Sequence, residues 1–309
     1  MDIRALRYLV SLAEHRSFTA AASANFITQP AVSISLKKLQ DELGTRLFDL
    51  QGRRITFTRA GEVVLEYARR IMSLERELYQ EIKDLTGLTK GRISLGTIDA
   101  ASVYVLPEIF SRFHGLYPGI DIQLEIDSTV PLLRKLESGL VDCVVGTLPP
   151  GEPPGLEVYP IFRESLAIIA PPDHPLAARR SVSTSMLADF TFISFHEESI
   201  TRSIIETVLR ERGVMPRITM AIDSPEAIKN LVASGLGLAI LPLEIVRGEI
   251  ERGSVAALRV KGLAFERRLG LFLYAGRYLS STVRAFLGVL EDGLDAGLPR
   301  RLYIPSPSM

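Results

Sequence analysis

Polar side chains that could read DNA are concentrated at the start of one short helical segment and in the hairpin predicted after it. The amide of Gln29 can pair with an adenine edge, and the hydroxyls and cations around it can bind base edges and phosphates. A polar face of this kind also occurs on small helical domains that simply face water, and composition alone does not separate the two interpretations. The candidate DNA-binding residues are Thr28, Gln29, Pro30, Ser33, Ser35, Lys37, Lys38, Arg53 and Arg54.

Three short helices and a hairpin are predicted to position these residues. Residues 2–15 have helical apolar spacing, residues 19–24 follow Ser17 as a cap, and a third helix opens at Thr28 and ends at Gly44. Residues 46–58 alternate around a basic tip, which predicts a two-stranded hairpin. This order of elements is that of a winged helix-turn-helix. The buried stripe predicted for the third helix is Ala31, Val32, Ile34 or Ser35, Leu36, Leu39 and Leu43.

A second set of polar residues follows predicted strands further along the chain, where an α/β fold would bind a ligand. Ligands of open α/β sheets bind beyond the carboxyl ends of strands, and helix starts at these turns favour anions or carbonyl oxygens. Each residue could instead simply cap its own helix, and this is the stronger interpretation for Ser224, which precedes Pro225. The candidate effector-binding residues are Thr97, Asp99, Ser102, Ser128, Thr129, His196 and Thr201.

The elements predicted after residue 91 alternate between strands and helices. Strands at 92–96, 120–126 and 141–146 with helices at 106–117 and 132–138 give a βαβαβ unit and a parallel sheet. A second set follows with strands at 166–170, 191–194, 217–221 and 238–241, helices at 201–212 and 225–234, a strand at 267–273 and a helix at 280–290. Two such lobes joined by two crossings would form a cleft between them.

A long helix is predicted between these two regions. Residues 59–85 contain no proline, Thr58 is the predicted cap, and about 27 residues would extend for roughly 40 Å. An apolar seam on so long a helix needs a partner surface, although that surface could be the helix's own domain. The candidate dimerisation residues are Val64, Ala68, Ile71, Leu78 and Ile82, and a second stripe contains Leu65, Met72 and Tyr79.

The composition excludes several classes of protein. The 309 residues contain 36 Lys and Arg against 36 Asp and Glu, which excludes a uniformly basic nucleic-acid coat. Residues 1–60 nevertheless hold nine basic and five acidic residues, a net charge of +4 that leaves −4 for the rest. A single cysteine, Cys143, excludes an intramolecular disulfide and any multi-cysteine metal cluster, and its apolar strand predicts core packing. We see no secretory signal and no membrane span, so the expected location is the cytoplasm.

Catalytic and metal motifs are missing from the sequence. It has no P-loop, no G-x-S-x-G and no H-E-x-x-H, and the four histidines are scattered without metal spacing. We therefore predict no catalytic residue, no metal and no cofactor, so the protein is not expected to be an enzyme. An enzyme built on a two-lobed fold and a solute-binding module alone are the alternatives, and the solute-binding module would not need residues 1–88.

The N-terminal residues resemble the winged helix-turn-helix of LysR-type transcriptional regulators over about sixty positions without a gap. The family usually has Arg and Gln after Ser33, where this chain has Ile34 and Ser35, and Leu50 replaces another usual Arg. Looser matches continue to about residue 292, including 231–237. The matching N-terminal residues are Leu6, Phe18, Thr19, Ala21, Ala22, Gln29, Pro30, Ala31, Val32, Ser33, Leu39, Leu43, Gly44, Leu47, Phe48, Thr58 and Gly61.

The resemblance implies an α+β multi-domain protein. It would have an N-terminal winged helix-turn-helix (1–58), a dimerising linker helix and hinge (59–88), a two-lobed α/β effector domain with a periplasmic-binding-protein-like fold (89–298) and a flexible tail (299–309). Lobe I would comprise about 91–161 and 267–298, and lobe II about 162–266. The implied partners are double-stranded promoter or operator DNA, a small-molecule effector and further copies in a homodimer or homotetramer. RNA polymerase is a further candidate partner, and no membrane contact is expected.

Overall fold

The N-terminal unit contains three short helices, a hairpin and one long helix. The computed structural model describes residues 1–51, 54–84 and 91–294. The elements of this unit are α1 (Ile3–His15), α2 (Phe18–Ala24), α3 (Gln29–Leu43), β1 (Phe48–Gln51), β2 (Arg54–Phe57) and α4 (Arg59–Asp84). The predicted order of helices and hairpin is confirmed, with boundaries that shift by one or two residues.

Side-chain caps fix the ends of these helices. Ser17 Oγ accepts a hydrogen bond from the Ala20 amide at 3.3 Å, and Thr58 Oγ1 accepts one from the Gly61 amide at 3.0 Å, so both predicted caps are confirmed. Gly44 ends α3 in the left-handed region with φ of +65°, which glycine adopts without steric cost. Thr28 precedes α3, but its hydroxyl makes no capping bond to the described start of that helix.

The core of the unit is formed where α1, α2 and α3 meet the base of α4. Helix α3 contributes only Val32, Leu36 and Leu39 to this core. The predicted buried stripe was too wide, because the neighbouring helices cover α3 on one side only. Its other apolar members, Ala31, Ile34 and Leu43, are exposed, and Ser35 is half-buried.

Residues 91–294 form the α/β part of the chain. A 3₁₀ turn lies at Thr184–Asp189, and the predicted sequence of strands and helices is confirmed, with α5, α10 and β10 as additions. The elements are β3 (Gly91–Thr97), α5 (Asp99–Tyr104), α6 (Leu106–Leu116), β4 (Ile120–Ile126), α7 (Thr129–Glu137), β5 (Cys143–Thr147), β6 (Leu156–Ala170), β7 (Thr191–Ser194), α8 (Ile200–Glu211), β8 (Arg217–Ala221), α9 (Pro225–Ala233), β9 (Ala239–Pro242), α10 (Leu243–Arg252), β10 (Ala256–Leu258), β11 (Phe265–Tyr274) and α11 (Ser281–Leu294).

Two long antiparallel strands organise the sheet. Strand β3 pairs in parallel with β4 and β5, while β11 pairs antiparallel with both β5 and β6. At its other end β6 pairs antiparallel with β9 and β10. The 15-residue β6 is much longer than the predicted strand, and it runs through the predicted lobe boundary at 161/162 without a break. These crossings place the starts of helices from both predicted lobes close together.

Cys143 lies in the hydrophobic core, as the sequence predicted. Complete burial raises the pKa of its thiol well above the ordinary value, because the thiolate would lose its hydration. We expect iodoacetamide at pH 8 to leave Cys143 unmodified in the native protein over hours. The same reagent should label it within minutes in guanidinium chloride, as measured by intact mass. Rapid labelling of the native protein would contradict this burial.

Candidate functional site

Helix α3 presents the predicted polar residues on its exposed side. Thr28, Gln29 and Pro30 lie exposed at its first turn, and Ser33, Lys37 and Lys38 are exposed along the next two turns. The sequence from Arg16 to Gln40 contains no Asp or Glu, and the nearest acidic residues on α3, Asp41 and Glu42, follow the lysines by one turn. The start of a helix also carries a partial positive charge. This face is therefore suited to an anionic, hydrogen-bonding partner such as a DNA groove.

The hairpin adds a further exposed cation to the N-terminal unit. Strands β1 and β2 pair antiparallel from Phe48 opposite Phe57 to Gln51 opposite Arg54, and Arg54 is exposed. Arg53, the other predicted residue of the basic tip, lies outside the described residues. A basic hairpin beside an exposed recognition helix can contact phosphates or enter a minor groove.

A cavity of about 320 Å³ lies among the helix starts of the α/β part. Helices α7, α8 and α9 begin at its wall, at Thr129, Ile200 and Pro225. Each of these starts directs backbone amides and a partial positive charge outward. Polar residues of the lining come from both predicted lobes, namely Asp99, Asp127, Ser128, Thr129, Thr147, Ser199, Thr201, Asp223, Ser224 and Arg267.

A buried chain of hydrogen bonds crosses the cavity wall. Arg267 Nη1 donates to Thr201 Oγ1 at 2.7 Å, and Thr201 Oγ1 lies 3.3 Å from Thr147 Oγ1. The Thr147 amide in turn donates to Thr129 Oγ1 at 3.1 Å. Thr201 lies in α8, which belongs to predicted lobe II, whereas Thr129 in α7 and Thr147 in β5 belong to predicted lobe I. This series of hydrogen bonds therefore joins the two predicted lobes.

Arg267 brings a buried positive charge to the cavity. Its side chain on β11 is only 2% exposed, and its Nε lies 2.5 Å from Oε1 of the largely buried Glu164 on β6. Burial lowers the pKa of Arg267, whereas the carboxylate of Glu164 opposes that shift. A guanidinium nonetheless stays charged in proteins. Its Nη2 atom is buried and has no hydrogen-bond partner among the residues that the structure describes.

The carboxylates of the lining already have partners. Asp99 Oδ2 accepts a hydrogen bond from Ser224 Oγ at 3.2 Å, and Asp223 Oδ1 accepts one from the His196 amide at 3.1 Å. Asp127 lies 3.6 Å from Lys135 Nζ and accepts from the Ser128 amide. Of these three carboxylates, Asp127 has a cationic partner, whereas Asp99 and Asp223 are bonded by neutral donors. Their remaining oxygens could accept bonds from a ligand hydroxyl.

Four predicted effector residues line this cavity, namely Asp99, Ser128, Thr129 and Thr201. The other three do not line it. The fully buried hydroxyl of Thr97 donates to the Val145 carbonyl, and Ser102 Oγ donates to the Asp99 carbonyl within α5. His196 lies exposed beside the cavity and uses its backbone to bind Asp223.

Sequence reasoning missed the two most distinctive residues of the cavity, Arg267 and Thr147. Arg267 lies in the strand segment Phe265–Tyr274, whose other charged members, Glu266 and Arg268, are exposed. The alternation along this strand is the one sequence feature that marks Arg267 as inward-facing. Ser224 was interpreted as a cap, and it both caps α9 and lines the cavity.

The linker helix α4 divides its apolar residues between two faces. Leu65, Ala68 and Met72 are buried, and Val64 and Ile71 are partly buried against the core of the N-terminal unit. The prediction that Ala68 forms a dimer seam was therefore wrong, because its own unit covers it completely. The remaining face is exposed and apolar, and it contains Val63, Tyr67, Leu74, Leu78 and Ile82.

Metal-binding clusters and membrane-spanning helices are both absent from the part of the chain that the structure describes. Among residues 1–51, 54–84 and 91–294, no group of three or more His, Cys, Asp or Glu side chains is placed to hold a metal ion. Within the same residues, no helix has both the length and the apolar character needed to cross a membrane.

Comparison with known proteins gives matches over nearly the whole chain. Residues 3–62 match the bacterial regulatory helix-turn-helix protein of the lysR family, and residues 86–295 match the LysR substrate binding domain. The RuBisCO operon transcriptional regulator of Allochromatium vinosum is 34% identical over 286 residues, which cover 93% of this chain and 94% of that protein.

Two solved structures have a similar fold. Full-length OxyR from Pseudomonas aeruginosa gives a TM-score of 0.71 at 24% identity, covering 95% of this chain and 94% of that one. The regulatory domain of Synechocystis PCC6803 CcmR, solved in complex with 2-PG, gives a TM-score of 0.61 at 27% identity and covers 67% of this chain and 99% of that one.

Proposed function

The chain belongs to the LysR family of bacterial transcriptional regulators, and we propose that it reads DNA through α3 and the β1–β2 hairpin while a small anion in the cavity controls its grip. The DNA contacts are assigned to the exposed residues of α3, from Thr28 to Lys38, and to Arg53 and Arg54. The effector contacts are assigned to Asp99, Ser128, Thr129, Thr147, Thr201 and Arg267.

The main support for an anionic ligand is the buried guanidinium of Arg267. Glu164 and Thr201 satisfy Nε and Nη1, but Nη2 lacks an acceptor within the described part of the chain. Leaving a charged donor unsatisfied is costly in a buried site, so a ligand oxygen bound there is favoured. The amides at the starts of α7, α8 and α9 favour the same charge.

The size and lining of the cavity narrow the class of ligand. A volume of about 320 Å³ lies at the small end of ligand pockets, which suits a metabolite of a few carbons. One phosphate or carboxylate would bind at Arg267 and the helix starts, and hydroxyl groups would donate to Asp99 or Asp223. We therefore propose a small phosphorylated or carboxylated hydroxy acid.

The relatives point to the genes that are controlled. Because a 34% identical relative is named for the RuBisCO operon, we propose that this chain controls genes of carbon fixation. A neighbouring regulatory domain is described in complex with 2-PG, so we include 2-PG among the ligands to be tested. We assign no turnover to the site, which is proposed to bind its ligand and release it unchanged.

Binding at this cavity can act as a switch because the ligand touches both lobes. Thr129 and Asp99 belong to the first lobe, and Thr201 and Ser224 belong to the second. A ligand that contacts both binds their closed arrangement better, and only such a difference in affinity shifts a conformational equilibrium. The two lobes already share the hydrogen bond from Ser224 to Asp99 and one from Tyr104 to Glu226.

A ligand panel tests the proposal for the cavity. The panel contains 2-PG, other phosphorylated and carboxylated acids of two to five carbons, and uncharged polyols of equal size. Thermal shift and calorimetry should reveal an acid that raises the melting temperature of the full-length protein and is recovered unchanged. Binding of polyols alone, or conversion of the ligand, would count against the proposal.

Separate roles are expected for Lys37 and Gln29 in DNA binding. Lys37→Ala should weaken binding to all sequences and reduce the salt dependence, because one phosphate contact and its released counterion are lost. Gln29→Ala should instead cost about 1–3 kcal/mol on the selected operator. Lys261, which is exposed in the α/β part, provides the matched control Lys261→Ala. Equal losses on operator and random DNA for Gln29→Ala would contradict base readout by this amide.

A further inference from the structure

An isoleucine occupies the centre of the exposed face of α3. Ile34 is 70% exposed, and the next turn of this face carries two lysines. Pro30 and Lys38 lie one turn before and after it, and Lys37 lies three residues on. All three of these neighbours are exposed. The Ile34 side chain therefore lies among the residues to which we assign DNA contacts.

The core of the N-terminal unit does not explain this side chain. The buried stripe of α3 is formed by Val32, Leu36 and Leu39, which lie on the opposite side of the helix. An exposed isoleucine also gives a helix less intrinsic stability than alanine would. Single exposed apolar residues are common on proteins. What distinguishes Ile34 is its position on the side of α3 to which we assign the DNA contacts.

The major groove offers one apolar group to such a side chain. Adenine, guanine and cytosine present donors and acceptors there, whereas thymine also presents its C5 methyl group. Isoleucine has no donor or acceptor, so against the other three bases it would remove water from polar edges without replacing the hydrogen bonds. Against thymine it gains apolar contact.

We propose that Ile34 is a specificity-determining residue that packs against the C5 methyl group of a thymine in each half-site of the operator. This inference rests on the proposed function, because it requires α3 to enter the major groove. Ile34 would add a preference for thymine, through its methyl group, to the polar base contacts of Gln29.

Replacing thymine by uracil removes only that methyl group and tests the contact directly. The full-length protein first selects its operator from random DNA, and each thymine of the selected site is then replaced singly by uracil. At one thymine or more in each half-site, we expect uracil to weaken wild-type binding about three- to fivefold, the effect of losing one buried methyl group. Ile34→Ala should bind thymine and uracil DNA equally.

Two controls separate the outcomes. Ile34→Ala should melt at the wild-type temperature or slightly above, because the side chain is exposed and alanine favours helix. Ser33→Ala, a change at the neighbouring exposed position, should keep the preference for thymine. Discrimination that persists in Ile34→Ala, or an operator in which no uracil affects the wild type, would overturn this inference and leave DNA binding intact. A wild type that binds no DNA would overturn the proposed function itself.

Discussion

Removing the buried charge of the cavity in the double variant Arg267→Met with Glu164→Gln is expected to eliminate effector binding while preserving the fold. The guanidinium is the charge that we assign to the ligand, and truncating one partner of a buried hydrogen-bonded charge pair costs about 2–5 kcal/mol of binding. Effector affinity should therefore fall by a factor of roughly thirty to several thousand. Calorimetry of the full-length protein with the panel ligand measures this loss, and operator binding without effector should be unchanged.

The double variant is necessary because the single change leaves an unpaired carboxylate. In Arg267→Met alone, the largely buried Glu164 would lose its partner, and breaking a buried pair destabilises proteins by about 3–5 kcal/mol. Glu164→Gln removes that charge, so the double variant should melt close to the wild type.

An exposed ion pair on the same two strands provides the matched control. Arg163 on β6 lies 3.4 Å from Glu266 on β11, and both side chains are exposed. Arg163→Met with Glu266→Gln should therefore bind the effector as the wild type does. Full effector affinity in the Arg267 double variant would contradict our placement of the anion.

Introducing a charge on the exposed apolar face of α4 is expected to dissociate the proposed dimer and so to weaken DNA binding. The Leu78 side chain is 58% exposed in a single chain, and it lies with Leu74 and Ile82 on the apolar face that we propose to pair with a second copy. Leu78→Lys would place two unpaired charges in a symmetric seam and remove about 2 kcal/mol of apolar contact from each chain. The dimer would weaken by roughly a thousandfold, and operator affinity would fall with it.

Sedimentation velocity and operator binding measure this effect. Leu78→Lys should give a smaller species than the wild type at the same concentration. Met215, an even more exposed apolar residue in the loop before β8, provides the control Met215→Lys, which should keep wild-type mass and affinity. Unchanged mass and DNA affinity in Leu78→Lys would mean that this face of α4 is not an interface.

Local features of the sequence predicted the elements well. Ser17, Thr58 and Gly44 define helix ends through their own side chains or φ angles, which neighbouring residues determine. The placement of Ser128 and Thr129 could be predicted for the same reason, because neighbouring residues determine where β4 ends and where α7 begins.

Contacts between distant segments could not be predicted in this way. Arg267 is 103 residues from Glu164 and 66 from Thr201 in the sequence. The pairing of β6 with β11 places Arg267 opposite Glu164, and the packing of α8 against β11 brings Thr201 to the same guanidinium. Helix α4 shows the same limit. Its periodicity indicated apolar stripes, but packing against α1 decides that Ala68 is covered while Leu78 remains free.

An anion in the cavity and DNA on α3 are proposed to influence each other's binding. The direct measurement is operator affinity of the wild-type protein with and without saturating 2-PG, or the panel acid that binds most tightly, at fixed ionic strength. Linkage requires the same factor to appear in the affinity for the anion with and without operator. We predict a change of at least fivefold in both titrations and none in the Arg267→Met, Glu164→Gln variant. Operator affinity that does not change while the anion saturates the cavity would contradict the account.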